Sequence, residues 1–289
     1  MKKSENPEIS VIIPLYNKEQ FILETISSVL KQTFTNFELI IVDDGSSDKS
    51  LELVKKIKDD RITILEKLNG GVSDARNFGI KRSNGKWIFL LDADDMLYKV
   101  ALETLMNLKK KFPGKLVYTG NFCTLKSNGL LLQCKERFEG VVNNNPKKIW
   151  LNKVFPRTGN TLLSKSIFNK IGYFNSKISY FEDMEFNLRF IEGFKIVYTP
   201  IPIFVYNTTS SDLSVNWRPL FKEFSYYATF KGFSFYSKLI LGRIVYFSLL
   251  TRLILKDKTS VYYLLKRYFF NLFYVLCSML LGKILKVYR

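Results

Sequence analysis

Two hydrophobic periods alternate along the first hundred residues. Residues 9–13 form a short, continuous β-rich run, and residues 19–31 put Phe21, Ile22, Ile26, Val29 and Leu30 on one helical stripe. A second apolar run over 37–42 ends at Asp43-Asp44-Gly45-Ser46-Ser47. Asp48 then stands where it can cap a helix in which Leu51, Val54 and Ile57 recur. Runs over 61–65 and 86–91 complete a series of at least four strands, and 97–111 reads as a helix. Strands alternating with helices predict an α/β chain, with a mostly parallel sheet covered on both faces and ligands bound beyond the carboxyl ends of its strands.

Polar residues gather at those ends. Pro14-Leu15-Tyr16-Asn17 follows the first strand, Asp43-Asp44-Gly45 the second, Asn69-Gly70-Gly71 the third and Asp92-Ala93-Asp94-Asp95 the fourth. The last cluster sets three carboxylates within four residues. Carboxylates that close repel one another unless a metal or a cationic ligand neutralises them. The ordinary alternative is an acidic first turn of the following helix. Gly70 and Gly71 permit close backbone approach to a ligand, and Arg76 can meet a phosphate or orient a carboxylate. The chain has no GxGxxG and no GxxxxGK[ST], which argues against dinucleotide-binding and P-loop chemistry.

Composition narrows the chemistry. There is no histidine, so Ser-His-Asp and Cys-His nucleophiles, His-ligated zinc and a His base are excluded, and proton transfer falls to Asp or Glu. Cys123, Cys134 and Cys277 are odd in number and far apart, which fits a reducing compartment. The first seven residues lack the apolar core of a signal peptide, so a cytoplasmic location is expected.

The motifs at the strand ends resemble those of the family 2 glycosyltransferases of the GT-A fold. The resemblance is carried by Ile9-Ser10-Val11-Ile12-Ile13-Pro14-Leu15-Tyr16-Asn17, by Ser27-Ser28-Val29-Leu30-Lys31-Gln32-Thr33, by Glu38-Leu39-Ile40-Ile41-Val42-Asp43-Asp44-Gly45-Ser46-Ser47-Asp48 and by Asn69-Gly70-Gly71-Val72-Ser73-Asp74-Ala75-Arg76-Asn77. Asp92-Ala93-Asp94 looks like the family's DXD signature, and Phe181-Glu182-Asp183-Met184-Glu185 with Arg189 like its acidic acceptor-side motif. The similarity is strong over about residues 8 to 100, patchy to about 208 and absent beyond.

The resemblance implies a GT-A nucleotide-diphospho-sugar transferase fold and an inverting, metal-dependent enzyme that passes one sugar from a UDP-sugar to a glycan or lipid-linked acceptor. Bacterial surface polysaccharide assembly would be the setting. Position by position, it implies that Pro14, Tyr16, Asn17 and Glu19 lie along the nucleotide, with Tyr16 beside the uracil ring and Asp44 accepting from its NH. Gly71 and Arg76 would belong to a loop closing over base and phosphates. Asp92, with Ala93, would meet the ribose or sugar hydroxyls, and Asp94 would hold Mn2+ or Mg2+ bridging the diphosphate, with Asp95 nearby. Asp183 would be the catalytic base and Glu182 would orient the acceptor, while Glu185 and Arg189 form an i, i+4 pair. Two departures stand out: no His is available as a further metal ligand, and there is no Gln-x-x-Arg-Trp motif of processive relatives, which favours single addition.

The net charge of +18 is uneven. Residues 231–289 hold eleven Lys or Arg against the single acid Asp257, together with thirteen Phe or Tyr. The expected division is a catalytic domain over 1–215, with a nucleotide-binding part at about 8–100 and an acceptor part at 101–215, and a basic, aromatic helical extension over 216–289. The apolar run 268–282 has fifteen residues, short of the roughly 20 needed to span a bilayer. The extension is therefore expected to lie on an anionic membrane surface at the inner face of the cell membrane, with Arg243 and Arg252 turned to headgroups, and to be removable without loss of donor hydrolysis. The alternatives for it are a helical pair packed on the catalytic domain, a protein contact or a homo-oligomer interface. For the whole chain they are a nucleotidyltransferase of sugar metabolism and a basic nucleic-acid-binding protein. The acid-lined crevice opposes nucleic acid, and none is expected as a partner.

Overall fold

The computed structural model describes residues 6–126, 129–134, 136–208 and 219–284. The chain begins β1 (Ile9–Leu15), α1 (Ile22–Leu30), β2 (Phe37–Asp43), α2 (Ser50–Lys55), β3 (Ile62–Glu66), α3 (Val72–Arg82) and β4 (Trp87–Leu90). These are the strands and helices that the hydrophobic periods predict. Next come β5 (Met96–Leu97), α4 (Ala101–Lys111), β6 (Val117–Lys126), β7 (Gly129–Leu132), β8 (Gly140–Val141), α5 (Asn145–Trp150), β9 (Thr161–Ser164), α6 (Ile167–Ile171), α7 (Glu182–Gly193) and β10 (Ile196–Asn207). Four helices follow: α8 (Phe224–Tyr227), α9 (Phe235–Ile254), α10 (Lys258–Arg267) and α11 (Leu272–Ile284).

The strands form one sheet in the order β3-β2-β1-β4-β9-β6-β10-β5. β1 runs parallel to both β2 and β4, and β2 parallel to β3, while β9 is antiparallel between β4 and β6. Every residue of β1 and β2 is buried, as expected of strands covered on both faces. Two polar residues sit in that core as neighbours in register: Ser10 Oγ donates to Glu38 Oε1 at 2.6 Å, and Asn84 and Gly85 N–H groups complete the carboxylate. A buried charge so supplied with donors avoids most of its desolvation cost.

Gly79 sets how closely α3 lies on the sheet, since a Cβ there would stand 2.6 Å from Ile12 Cγ2. This close packing carries the residues at the start of α3 over the ends of β1 and β2.

Two local expectations are corrected. Asp48 is not the cap of α2; Lys49 holds that position, and the Asp48 carboxylate accepts from Ser50 N–H and from Glu19 N–H, tying two loops together. The helix expected from 97 begins at Ala101, because Met96 and Leu97 pair as a strand with β10.

The tail also differs from expectation. The boundary expected between residues 215 and 216 falls outside the described residues. Past it, α9 is packed against α5, α8, α10 and α11, with Leu239, Ile240, Leu241, Ile244 and Val245 buried. Arg243 and Arg252 do not face headgroups. The Arg243 guanidinium lies 4.2 Å over the Trp150 ring and donates to the Trp150 carbonyl, and Arg252 is wholly buried against Glu223. Among the described residues no helix is long and apolar enough to cross a membrane.

Candidate functional site

The carboxyl ends of β1, β2 and β4 and the start of α3 open into a cleft of about 560 Å³. Pro14, Tyr16, Asp44, Gly71, Arg76, Asp92, Ala93, Asp94 and Glu182 all line it, as do Lys18 and Tyr206. The parallel register explains the gathering, since β1 is flanked by β2 and β4, β1 and β2 end at the same level, and the residues after β4, which ends opposite Ile12, continue toward the same edge. Tyr16 is 48% exposed, which leaves its ring face open to a ligand.

Asn17 and Glu19 lie outside that lining. Asn17, in the left-handed region, accepts from Ser47 N–H at 2.8 Å, and Glu19 accepts from Lys49 N–H at 2.9 Å. Both staple the loop after β1 to the loop after β2, and so fix the loop that carries Asp44. Asp44 in turn accepts from Gly70 N–H and Gly71 N–H at 2.9 and 2.8 Å and from Lys67 at 2.6 Å. Gly71 meets this geometry with φ of +86°, where a side chain would be strained.

Arg76 is buried, and its fork spans two carboxylates: Nη2 is 2.7 Å from Asp92 and Nη1 2.9 Å from Glu182. Of the two roles its position allowed, it takes that of orienting carboxylates. Burial alone would raise the Asp92 carboxyl, but the Arg76 guanidinium overrides it and holds Asp92 below the usual range. Thr158 adds a hydroxyl donor to Asp92 at 3.2 Å. Glu182 goes the other way: burial raises it, and Arg76 offsets only part of that rise. Asp95 is fully buried, accepts from Asn207 N–H, and is pushed well above the carboxylate range by burial and by its neighbours Asp92 and Asp94.

Asp94 faces the cleft and meets Lys18 Nζ at 2.7 Å. Its oxygens are of the hard donor type that Mg2+ or Mn2+ takes, and the Lys18 ammonium offsets their charge. Among the described residues no three carboxylate or thiol groups stand close enough to cage a metal by themselves. The Asp94 carboxylate would be the residue to hold such a cation, which would supply Lewis-acid chemistry there.

A second cavity of about 520 Å³ adjoins the first and shares Arg76, Asp92, Tyr180 and Glu182 with it. Asp183 lines this second cavity, and one of its oxygens accepts from Met184 N–H. The turn into α7 is strained, because Phe181 sits at φ of +60°, a region that bulky residues rarely enter. It is held by a backbone bridge from Tyr180 to Glu223 and by hydrogen bonds Ser179 N–H to Lys222 O and Phe224 N–H to Tyr180 O. The Glu185–Arg189 pair forms as its spacing requires, at 2.9 Å.

Several lining residues escaped the sequence reading. Lys18 belongs to the loop of Tyr16 and Asn17 and could have been found there. Arg157, 3.8 Å over the Tyr206 ring, and Ile240, Arg243, Ile244 and Phe247 of α9 lie in stretches without a motif, and only the fold brings them to the site.

Known proteins agree with this geometry. A chain from Rickettsia typhi named as an uncharacterized glycosyltransferase is 34% identical over 196 residues, 64% of this chain and 59% of its own length. One from Haemophilus influenzae, likewise an uncharacterized glycosyltransferase, is 40% identical over 132 residues, 44% of this chain and 52% of its own. One from Rickettsia bellii is 47% identical over 97 residues, only 14% of its length, so the chain spans between a seventh and three fifths of these relatives. Among solved structures, S. aureus TarS 1-349 in complex with UDP-GlcNAc superposes with a TM-score of 0.62 at 19% identity, covering 85% of this chain and 66% of that one. The same TarS fragment with UDP gives 0.60 at 22% identity, covering 70% and 60%. The fold is thus the GT-A type that the motifs implied. The model of the family described as "Glycosyl transferase family 2" matches residues 10–175, which take in nearly all of β1, the elements β2 to β4, the cleft residues from Pro14 to Asp94 and more than half of the chain; the chain belongs to that family.

Proposed function

We propose that the protein is an inverting hexosyltransferase that moves one sugar from a UDP-sugar to a glycan or lipid-linked acceptor in the building of a bacterial surface polysaccharide. The observation that carries this reading is the Arg76 fork, which joins Asp92, beyond the end of β4, to Glu182, at the start of α7, where the two cavities meet. The TarS structures with UDP and UDP-GlcNAc support a uridine nucleotide as donor.

In this mechanism Tyr16 lies against the base, and Asp44 presents its carboxylate at the cleft wall for the base NH. Asp92, kept ionised by Arg76, accepts from sugar or ribose hydroxyls. An acceptor hydroxyl enters beside Asp183, gives its proton to that carboxylate and bonds to the anomeric carbon as the bond to the diphosphate oxygen breaks on the opposite face. The anomeric centre inverts and UDP leaves. Mn2+ or Mg2+ at Asp94, when bound, offsets the charge that develops on the departing diphosphate. Arg76 and Glu182 hold the geometry, and Glu182, with its carboxyl raised by burial, orients the acceptor.

The same reading places the enzyme in the cytoplasm, peripheral to the membrane. Phe269, Phe270, Phe273, Leu276 and Leu280 are exposed around the start of α11 and along it, beside exposed Lys266 and Arg267. Aromatic groups flanked by cations suit an anionic bilayer surface.

The test is a screen of UDP-sugars and other nucleotide sugars for slow hydrolysis, with and without Mn2+. A UDP-sugar should be turned over, and the rate should fall on chelation. Turnover of no nucleotide sugar, with nucleotidyl transfer from UTP to a sugar phosphate instead, would replace the reading.

A further inference from the structure

The carboxylate of Asp44, which lines the donor cleft, is held by a residue outside that lining. Lys67 directly follows β3, and its ammonium meets Asp44 Oδ1 at 2.6 Å, Asp74 Oδ2 at 2.8 Å and the Leu68 carbonyl. An ammonium has three hydrogens, and these three acceptors use them all. Whatever Lys67 does for a ligand it therefore does through Asp44. Burial would lower the Lys67 ammonium, but its hydrogen bonds to Asp44 and Asp74 outweigh that and hold it above its usual value.

Gly70 makes room for this arrangement, since a Cβ there would stand 2.5 Å from Asp74 Oδ2 and 2.9 Å from Lys67 Nζ. The loop backbone can then pass close to the ammonium, and its Gly70 and Gly71 N–H groups reach the same Asp44 carboxylate. A carboxylate offers about four lone-pair positions, two on each oxygen. At Oδ1 both are taken, by Lys67 and by Gly70 N–H; at Oδ2 Gly71 N–H takes one. Among the described residues, one acceptor position of Asp44 then remains, on Oδ2. A single acceptor at the cleft wall suits a base that presents an N–H there and opposes a base that presents a lone pair. Uracil carries a hydrogen on its N3, and cytosine carries none.

We propose that Lys67 is a positioning residue that sets the base selectivity of the donor cleft: by occupying Oδ1 it leaves Asp44 one acceptor position, matched to uracil and mismatched to cytosine. This rests on the transferase reading, in which Asp44 meets the base, and adds the residue that decides which base Asp44 prefers. Without the ammonium, Oδ1 regains a lone pair and the two oxygens become nearly equivalent, each with one backbone N–H. The carboxylate, 3% exposed, also loses its counter-charge and is no longer pinned in one orientation.

The experiment titrates the full chain calorimetrically with UDP and with CDP, and reads hydrolysis of the UDP-sugar alongside. The parent should bind UDP at least about tenfold more tightly than CDP. Lys67→Met should weaken UDP by about tenfold and CDP by much less, so that the preference shrinks, and KM for the UDP-sugar should rise while kcat stays within about threefold. Lys67→Arg, which keeps a cation beside Asp44 in a different shape, should lie between parent and Lys67→Met. Asp74→Asn leaves the Lys67–Asp44 pair in place and should keep the preference within about threefold. Circular dichroism checks that each variant is folded; if Lys67→Met is not, Lys67→Arg carries the test, and a preference equal to the parent's overturns the proposal. So does an unchanged preference in Lys67→Met, a parent that binds UDP and CDP alike, or an equal loss of both nucleotides in Lys67→Met, as a merely structural bridge would give. In each of these cases UDP binding by the parent leaves the transferase reading standing. A parent that binds neither nucleotide would instead strike the transferase reading itself.

Discussion

Arg252 of α9 and Glu223, just ahead of α8, form an ion pair from which water is wholly excluded. Ser225 and Ser248 hydroxyls close around the same carboxylate, and Asp257 meets the other side of the guanidinium. Glu223 is also bridged through its backbone to Tyr180, next to the strained Phe181 that starts the acidic motif. The tail is thus tied through one salt bridge to the segment that presents Asp183. Arg252→Met removes a buried guanidinium from beside the Glu223 carboxylate and should cost about 3–5 kcal/mol, read as a shift of the urea midpoint at constant m-value. The double variant with Glu223→Gln should recover much of that loss. A single variant as stable as the parent would show that the pair is not holding the tail, and truncation at 231 would then be tolerated after all.

The part of the fold read correctly from sequence is the part where pattern and environment coincide. The apolar runs of β1, β2 and β4 are buried on both faces, and each runs directly into the polar residues that line the cleft, so period and site are visible together. Glu38 breaks the hydrophobic run of β2, yet it does no harm because Ser10 lies opposite it in register. The tail misled because its composition is ambiguous. Arg243 and Arg252 on an otherwise apolar helix read as cations seeking headgroups, whereas one stacks on Trp150 and the other meets Glu223, contacts that span 93 and 29 residues of chain. No local pattern encodes such separations. The same holds for Arg157 and Thr158, which reach Asp92 and Tyr206 from a loop without periodicity.

The ammonium of Lys18 on Asp94 gives the metal assignment a sharp consequence. If a divalent ion displaces that ammonium when the donor binds, Asp94→Asn should lower UDP-sugar turnover by about a hundredfold or more, with the urea midpoint unchanged because the side chain lines a cleft. Lys18→Met should leave Mn2+-dependent turnover within a few-fold and lower the Mn2+ concentration needed for half activity. Full turnover in EDTA, or in Asp94→Asn, would remove the metal from the mechanism.

Asp183 stands in the acceptor cavity with its shape fixed by the Met184 N–H. Asp183→Asn keeps that hydrogen bond and removes the proton acceptor, so transfer should fall by on the order of a hundredfold or more while UDP binding persists. Glu182→Gln should differ in kind, since it loosens Arg76 and with it the donor-side Asp92; its effect should extend to KM for the donor. Near-parental transfer by Asp183→Asn would move the base to another group.

Because α9 is part of the folded body, deleting residues 231–289 is the wrong way to ask whether the protein meets a membrane. The exposed pair Phe269 and Phe270, at 64% and 93%, offers a gentler probe, since neither ring is needed to fill the core. Burying two such rings in a bilayer interface is worth roughly 1.5–3 kcal/mol each at full burial, so Phe269→Ser with Phe270→Ser should lower vesicle affinity by at least about tenfold. The loss should be seen by co-sedimentation with phosphatidylglycerol vesicles, with the urea midpoint unmoved. Added salt should weaken the parent's binding as well, because Lys266 and Arg267 flank the rings. A parent chain that stays in the supernatant at low salt would show that these rings serve another contact, and the tail would then be sought at a protein interface.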